Sequence, residues 1–185
     1  MPDSTKRSAD SRPIELDIER RPVPDEATVT AEGERLETLI EGVRVRRATI
    51  QIDDRGSVTE MYSEAWSFSD EPLAYVYETT IRPGVVKGWV VHLEQDDRLF
   101  LGDGVVKVVL YDARQASVTH GMVNELFFGT AKRALLLIPA GVFHAVVNIG
   151  ESEARFVNLP TRAYRHERPD KARLPFDTDA IPYRL

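Results

Sequence analysis

The chain has 185 residues, with 24 basic and 30 acidic side chains and a formal net charge of -6 at pH 7. This length is typical of one domain, or of one domain with a tail, and can bury a stable core without covalent cross-links. The sequence contains no cysteine, which excludes disulfides, thiolate zinc sites and cysteine nucleophiles. The acidic balance argues against nucleic acid as a partner, because phosphate-backbone binding needs a concentrated basic surface.

The sequence shows no pattern typical of a secreted or membrane protein. Residues 1–10 are polar and charged and lack the apolar centre of a signal peptide. The longest apolar run, Ala134–Ile138, is far shorter than the ~20 residues of a membrane-spanning helix. We therefore expect a cytoplasmic protein that does not interact with membranes.

The N-terminal segment differs in composition from the rest of the chain. No aromatic residue precedes Tyr62, and four of the 11 prolines lie within the first 30 positions. Such a stretch has too little apolar surface to offset the entropy lost on ordering. We interpret residues 1–30 as a flexible tail and residues 31–185 as a single domain.

A short helix is expected at the start of that domain. Within residues 31–40, Leu36, Leu39 and Ile40 recur at the spacing of one helical face. Gly42 follows at a position typical of a helix end.

From Val43 onward the apolar residues alternate with polar ones, which is the period of a β-strand. Glycine-containing turn signals separate the segments, and no long helical pattern lies between them. The expected strands include Val43 to Val45, Ile50 to Ile52, Leu73–Ile81, Val85–Leu93, Val105–Tyr111, Leu135–Ile138 and Phe143–Ile149. This pattern predicts an all-β jelly-roll barrel of antiparallel strands. We expect the Pro-rich, charged C-terminal stretch from Arg162 to wrap this barrel rather than enter it.

The segment Pro139-Ala-Gly-Val-Phe-His144-Ala-Val-Val-Asn148 carries the first chemical signal. A Pro-x-Gly turn followed by a strand histidine and an asparagine resembles the second signature motif of the cupin superfamily. On a strand, His144 has the opposite orientation to its neighbours. It is either a site residue or a core histidine bonded to a backbone carbonyl.

A degraded first cupin motif lies upstream. Its spacing is kept, from Gly84 through Val90-x-His92 and Asp97 to Gly104, but valine replaces the first histidine and aspartate the glutamate. His92, Asp97 and His144 could hold iron or zinc in principle, so a metal-dependent cupin enzyme is one alternative. The main interpretation assigns no metal and no other cofactor.

Five segments, two of which overlap the cupin motifs, occur in an order that resembles the dTDP-4-dehydrorhamnose 3,5-epimerase family, the sugar-nucleotide branch of the cupins. The resemblance spans residues 48 to 164. The segments are Asp54-Arg-Gly-Ser-Val-Thr-Glu60, Gly84-Val-Val-Lys-Gly-Trp89, Tyr111-Asp-Ala-Arg114, Ser117-Val-Thr-His-Gly121 and Ile138-Pro-Ala-Gly-Val-Phe-His144.

The resemblance implies a homodimeric jelly roll that binds a nucleotide-linked 4-keto-6-deoxyhexose and needs no metal. It implies proton abstraction next to the ketone, then reprotonation on the opposite face, within deoxysugar or polysaccharide biosynthesis. Such chemistry needs a base poised near neutrality and a positioned acid.

The catalytic positions of the family are not all kept. Val90 stands where the family has its base histidine, and Asn158 aligns with the tyrosine that serves as acid. His92, which shares the strand face of Val90, is therefore our candidate for a relocated base, together with His144. The alternative for His92 is a hydrogen-bonded pocket histidine without a catalytic role.

The binding positions are better kept. The resemblance implies substrate contacts for Arg55 and Glu60 across a dimer interface, and for Lys87 in place of an arginine. Arg98 lies near a lysine that stabilises the enolate in the family, and Tyr164 suits stacking on a base or sugar. Asn158 completes the predicted substrate-binding set.

Two further interpretations remain open for these residues. The three cations, Arg55, Lys87 and Arg98, are also compatible with ordinary surface charge, and Tyr164 with packing. Because Val90 and Asn158 replace the usual base and acid respectively, a non-catalytic cupin that binds a sugar nucleotide or another carbohydrate is the second alternative.

Overall fold

The computed structural model describes residue 19, residues 22–32 and residues 36–185. The chain divides into two compact units, Met1–Glu37 and Thr38–Leu185. The predicted tail of residues 1–30 lies largely outside the described residues, so it stays a prediction. In the first unit, the described backbone includes a hydrogen bond from the Leu36 amide to the Thr28 carbonyl at 3.1 Å.

All of the strands in the described part of the chain belong to the second unit, which also contains one 3-10 helix, Glu64–Trp66. The strands are β1 Arg44–Arg47, β2 Ile50–Asp53, β3 Gly56–Thr59, β4 Tyr77–Ile81, β5 Val86–Val91, β6 Asp97–Asp103, β7 Val106–Asp112, β8 Val123–Phe128, β9 Ala134–Ile138, β10 Val142–Asn148, β11 Ala154–Asn158 and β12 Ala172–Arg173.

The strands form two five-stranded antiparallel sheets and a separate hairpin. The first sheet has the order β1-β9-β6-β11-β4, and the second has the order β12-β5-β10-β7-β8. Among the described strands, β2 and β3 pair only with each other. Two facing antiparallel sheets with crossed strand order are the jelly roll that the alternating pattern predicted, and the fold prediction is confirmed.

The main core lies between the two sheets. Alternate residues of β6 and β11 from one sheet meet alternate residues of β7 and β10 from the other. The core members include Leu99, Leu101, Val108, Leu110, Val146 and Phe156. Smaller clusters cover the outer faces, one with Phe100 and Leu135, the other with Trp89 and Ile181. Because both of its faces are covered, β9 is apolar throughout and does not alternate.

The expected helix within residues 31–40 is wrong, since its described residues, 31–32 and 36–40, contain no helical backbone. The Ile40 amide donates to Asn124 Oδ1 at 2.8 Å, and Asn124 Nδ2 donates to the Thr38 carbonyl at 2.9 Å. A side chain on β8 therefore satisfies backbone groups that a helix would pair internally. Ile40 is buried in the core. The apolar residues that suggested a helical face therefore belong to an extended segment that packs on the barrel.

The C-terminal stretch was expected to wrap the barrel without entering it, and this expectation is wrong in part, because Lys171 and Arg173 line a cavity between the sheets and residues 172–173 join the second sheet. Its two-residue strand β12 pairs with Val90 and Val91 at the edge of the second sheet, and Ile181 packs against Trp89. Among the described residues, no helix has the length and apolar character needed to cross a bilayer. The cytoplasmic location stays a prediction.

Candidate active site

A cavity of about 150 Å³ opens between the sheets at one end of the barrel. Inward-facing residues of the first sheet form one wall, and residues of β5, β10 and the C-terminal stretch form the other. The lining comprises Tyr77, Thr79, Asp97, Leu99, Phe156 and Asn158 on the first wall, and Lys87, Val90, His92, His144, Val146, Lys171 and Arg173 on the second.

A β-bulge in β5 shapes the second wall. His144 of β10 pairs with Val90, whereas Val146, two residues on, pairs with Lys87, three residues back. The extra residue in β5 brings both Lys87 and Val90 onto the cavity face, which a regular strand would not allow. Gly88 fits at this irregularity because a Cβ there would lie 2.4 Å from the Cβ of Ala145.

Asp97 is the buried centre of the polar residues in the cavity. Its Oδ2 lies 3.4 Å from His92 Nε2 and 3.6 Å from His144 Nε2, and it accepts a hydrogen bond from Asn158 Nδ2 at 3.3 Å. Its Oδ1 accepts from Gln95 Nε2 at 3.0 Å. Burial opposes ionisation, but these donors and the two imidazoles lower the pKa of Asp97 to about 2. The carboxylate is therefore charged at neutral pH.

The C-terminal stretch sets the orientation of His92. Its Nδ1 contacts the backbone carbonyl of Asp170, so in the neutral ring Nδ1 carries the proton and Nε2 carries the lone pair. Burial disfavours the charged ring, but Asp97 and the Asp170 carbonyl outweigh it and raise the pKa of His92 above its ordinary value. His92 is thus a histidine whose basic nitrogen faces Asp97 and the cavity.

The Asp170 side chain fixes the loop that follows β5. Its carboxylate accepts the backbone amides of Leu93, Glu94 and Gln95 at 2.9, 2.8 and 3.0 Å. These hydrogen bonds lower the pKa of Asp170, although burial acts in the opposite direction. One residue therefore holds both the loop and the imidazole.

His144 lies beside His92 with its ring nearly parallel, the ring centroids being 5.8 Å apart. Burial, together with the charge of His92, lowers the pKa of His144 to about 4 despite the opposing effect of Asp97. At neutral pH His144 is an uncharged imidazole, which can donate a hydrogen bond to a ligand or accept one from it.

Three cations line the same cavity without an ion-pair or hydrogen-bond partner within the described residues: Lys87, Lys171 and Arg173. Lys171 is partly buried, and its pKa is lowered by burial and by the positive charges of Arg173 and Lys87. A wall of unpaired cations complements an anionic ligand. Sequence reasoning missed Lys171 and Arg173, because no local pattern shows that β12 returns to the edge of β5.

The predicted residues Asn158, Lys87, His92 and His144 meet in this cavity. Tyr164 lines a smaller adjoining pocket of about 40 Å³ that shares Tyr77, His92 and Lys171 with it. The structure therefore brings together all of the predicted catalytic residues and three of the six predicted substrate-binding residues.

Arg98 does not join them. Asp97 and Leu99 point into the cavity, so Arg98 between them faces outward, where it is buried. Its guanidinium donates to the carbonyls of Glu71, Pro72, Leu159 and Pro160 and to the Tyr62 hydroxyl. With its donors committed to these groups, Arg98 has a structural role on this side of the sheet, and the expected contact with substrate has no support within the chain.

Arg55 lies in the turn of the separate β2–β3 hairpin and Glu60 directly follows β3, both outside the cavity. Arg55 is exposed and forms an ion pair with Asp53. Glu60 lines a different groove, beside Arg46, whose guanidinium lies 4.2 Å from the ring centroid of Trp66. A role for either residue at the cavity of its own chain is not supported, and the expected role across a dimer interface stays a prediction.

The cavity also contains a group of side chains that could hold a metal ion. One ligand atom each from His92, Asp97 and His144 lies within 4.8 Å of the others, and two imidazoles with one carboxylate suit a divalent transition metal. Such an ion would act as a Lewis acid on a carbonyl oxygen. Val90 contributes no further ligand on this wall, because its side chain has no donor atom.

A two-sheet antiparallel barrel with histidines and a carboxylate inside its open end is the arrangement typical of a cupin. The sequence profile of the dTDP-4-dehydrorhamnose 3,5-epimerase family matches residues 37–181. The chain belongs to this family, and it is an enzyme of the sugar-nucleotide epimerase type.

Individual relatives support the assignment. The chain is 33% identical over 145 residues, 78% of this chain and 95% of the relative, to the spore coat polysaccharide biosynthesis protein SpsL of Bacillus subtilis. It is 34% identical over 140 residues, 75% of this chain and 89% of the relative, to the probable low-salt glycan biosynthesis epimerase Agl13 of Haloferax volcanii.

A solved structure shows the same architecture. A dTDP sugar isomerase from Desulfovibrio desulfuricans superposes with a TM-score of 0.71 at 26% identity, over 78% of this chain and 90% of that chain. The recognition of the family from the ordered motifs is confirmed.

Proposed function

We propose that the protein epimerises a nucleotide-linked 4-keto-6-deoxyhexose at a carbon next to the ketone, for the assembly of a glycan or polysaccharide. The observation that carries this proposal is the buried pair of His92 and Asp97 inside the cavity. A ketone acidifies the adjacent C–H bond, and a histidine with a raised pKa is a suitable base for it. Family membership supports the same chemistry.

His92 removes the proton in the proposed reaction. The Asp170 carbonyl holds Nδ1–H, so Nε2 accepts the proton from carbon, and the adjacent Asp97 carboxylate stabilises the imidazolium that forms. His144 stays neutral and hydrogen-bonds to the sugar. This relocates the base by two residues from Val90, on the same wall of the cavity.

The cations bind the negative charges of the substrate. Lys87, Lys171 and Arg173 lie on the wall beside the histidines and have no ion-pair partner among the described residues, so they can contact the diphosphate and the enolate oxygen without breaking an ion pair seen there. Tyr164 in the adjoining pocket suits stacking against the nucleoside. The cavity would thus hold the sugar and the smaller pocket would hold part of the nucleotide.

The direct test is isotope exchange. Incubation with dTDP-4-keto-6-deoxyglucose in deuterated water should place deuterium at C3 or C5 of the sugar. NMR spectroscopy measures the rate at which the proton signal of each carbon disappears. His92→Ala should reduce the exchange rate by 10²-fold or more, roughly the contribution of a general base. His120→Ala is the matched control, because His120 is exposed and lies outside the cavity.

The outcomes separate the alternatives. Saturable binding of the nucleotide sugar without exchange at either carbon would favour a non-catalytic binding protein. Exchange that disappears on chelation and returns with added iron or zinc would favour a metal-dependent enzyme using His92, Asp97 and His144. Neither binding nor exchange would contradict the proposal as a whole.

A further inference from the structure

Tyr77 presents an unused proton donor to the cavity. It is the first residue of β4 and the cross-strand partner of Asn158 in β11. Its hydroxyl oxygen accepts a hydrogen bond from Asn158 Nδ2 at 2.8 Å, and a phenol that accepts in this way keeps its own proton for another partner. Within the described residues, no acceptor for that proton is present.

The orientation of the Asn158 amide follows from its neighbours. Its Nδ2 lies 3.3 Å from Asp97 Oδ2 as well as 2.8 Å from the Tyr77 hydroxyl. A carboxylate accepts hydrogen bonds only, so the NH2 group, and not the amide oxygen, must face Asp97. The same NH2 group then donates to Tyr77, which fixes the hydroxyl in its accepting role.

Tyr77 and the histidines lie on opposite walls of the cavity. Tyr77 belongs to the first sheet through β4, whereas His144 belongs to β10, and His92 directly follows β5, in the second sheet. Epimerisation inverts a carbon, so a proton must leave from one face and another must arrive at the opposite face. A base and an acid on facing sheets meet that requirement.

We infer that Tyr77 is the catalytic acid that delivers the proton to the face of the carbon opposite His92. The inference depends on the proposed function, because it assigns the second half of the same reaction. Asn158 acts as a positioning residue, since its donated hydrogen bond stabilises the phenolate left after transfer.

The proton balance of the step is complete. His92 Nε2 takes the proton as the C–H bond breaks, and the electron pair moves to the ketone oxygen to give an enolate. The enolate carbon then takes the hydroxyl proton of Tyr77 on its other face, and the carbonyl forms again. The imidazolium releases its proton to water and the phenolate takes one from water, which restores the enzyme.

Burial, and then the charge of Asp97, raises the pKa of Tyr77 to about 12. The phenol therefore keeps its proton through the neutral range, as a proton donor must. The developing carbanion is a strong base, so a weakly acidic phenol can still protonate it.

The test separates the two halves of the reaction. In Tyr77→Phe, removal of the proton by His92 and its exchange with deuterated water continue with retention, whereas formation of the inverted sugar falls by 10²-fold or more. His92→Ala should lose both processes. Tyr111→Phe is the matched control, because Tyr111 packs on the outer cluster with Trp89 and lies outside the cavity.

Several outcomes would overturn the inference. Inversion at near the wild-type rate in Tyr77→Phe would do so, and so would an equal loss of exchange and inversion in a variant that binds dTDP normally. If the wild-type protein shows no exchange, the proposed function itself fails, which is a different result.

A second variant keeps the test independent of the phenylalanine substitution. With 3-fluorotyrosine at position 77, the lowered pKa of the phenol should move the alkaline limb of the pH–kcat profile to lower pH. An alkaline limb that does not move would contradict the assignment.

Discussion

Two histidines flank one carboxylate in the cavity, and their pKa values move in opposite directions. Both Nε2 atoms lie close to Asp97 Oδ2, yet the pKa of His92 is raised and that of His144 is lowered. The difference arises from burial and from the second partner of each ring. Opposite shifts of this kind separate a base whose pKa is raised, His92, from a neighbour that stays uncharged at neutral pH, His144.

The pKa of His92 predicts the acid side of the activity profile. The neutral ring is the base, so kcat/KM should fall as the pH drops through a pKa above the ordinary ~6.5 of histidine. Asp97→Asn removes the anion that favours the charged ring, so this limb should move to lower pH. Steady-state pH profiles of both proteins measure the shift.

Asp103→Asn provides the control for that profile. Asp103 ends the same strand but is exposed and pairs with Arg155, so its removal should leave the acid limb in place. An acid limb that is unchanged in Asp97→Asn would contradict the assignment of His92 as the base.

At the residue scale, the sequence was informative where strand alternation decides the outcome. The spacing of the cupin motifs predicted that His92, Asp97 and His144 lie close together. Arg98 lies between Asp97 and Leu99, which face the cavity, so strand alternation could also have excluded Arg98 from it. The role of Tyr77 was not predictable, because it depends on the pairing of β4 with β11 across 81 residues of chain.

Among the elements, the C-terminal stretch is most closely tied to function. Asp170 binds the loop after β5 and the ring of His92, Lys171 enters the cavity and β12 extends the second sheet. The Pro-rich, charged sequence predicted that this stretch wraps the barrel without entering it, whereas β12 joins the second sheet. It could not predict which residues enter the site, because a two-residue strand has no periodicity to detect.

Asp170→Ala should lower both stability and activity. The substitution removes a carboxylate that accepts three backbone amides, and we expect the free energy of unfolding to fall by about 2 kcal/mol. The freed loop should also release the ring of His92, so kcat should fall more than KM rises. Urea unfolding and steady-state kinetics measure the two effects.

Glu167→Ala is the control in the same stretch, because Glu167 is exposed. Glu167→Ala should change the free energy of unfolding by no more than about 0.5 kcal/mol, as ordinary surface substitutions do, and it should leave kcat unchanged. A stable Asp170→Ala protein with normal kcat would show that the loop and His92 do not depend on Asp170.

At the scale of the whole molecule, the β2–β3 hairpin pairs with neither five-stranded sheet in the described part of the chain. Its side chains Ile52 and Val58 are 77% and 67% exposed, and a two-stranded hairpin is only marginally stable in water on its own. We expect this hairpin to pack against a second copy of the chain. Arg55, on the same hairpin, would then approach the partner subunit.

The dimer prediction is tested by Ile52→Lys combined with Val58→Lys. Ile52 pairs with Ser57 and Val58 pairs with Gln51, so the two side chains lie on opposite faces of the hairpin and the double variant places a charge on whichever face meets the partner. The wild-type protein should sediment as a dimer, and the double variant should shift to monomer. Val118→Lys is the control, since Val118 is 87% exposed in the turn between β7 and β8. A monomeric wild type, or a double variant that remains dimeric, would contradict the prediction.

The folded barrel and its site also differ in when they can form during synthesis. His92 and His144 leave the ribosome before Asp170 and Lys171, so a nascent chain can pair most of both sheets while His92 still lacks its orienting carbonyl. Domains begin to fold as they emerge, and here the architecture would precede catalytic competence. Stalled or shortened chains that lack residues 170–173 should therefore be compact proteins with an incomplete active site.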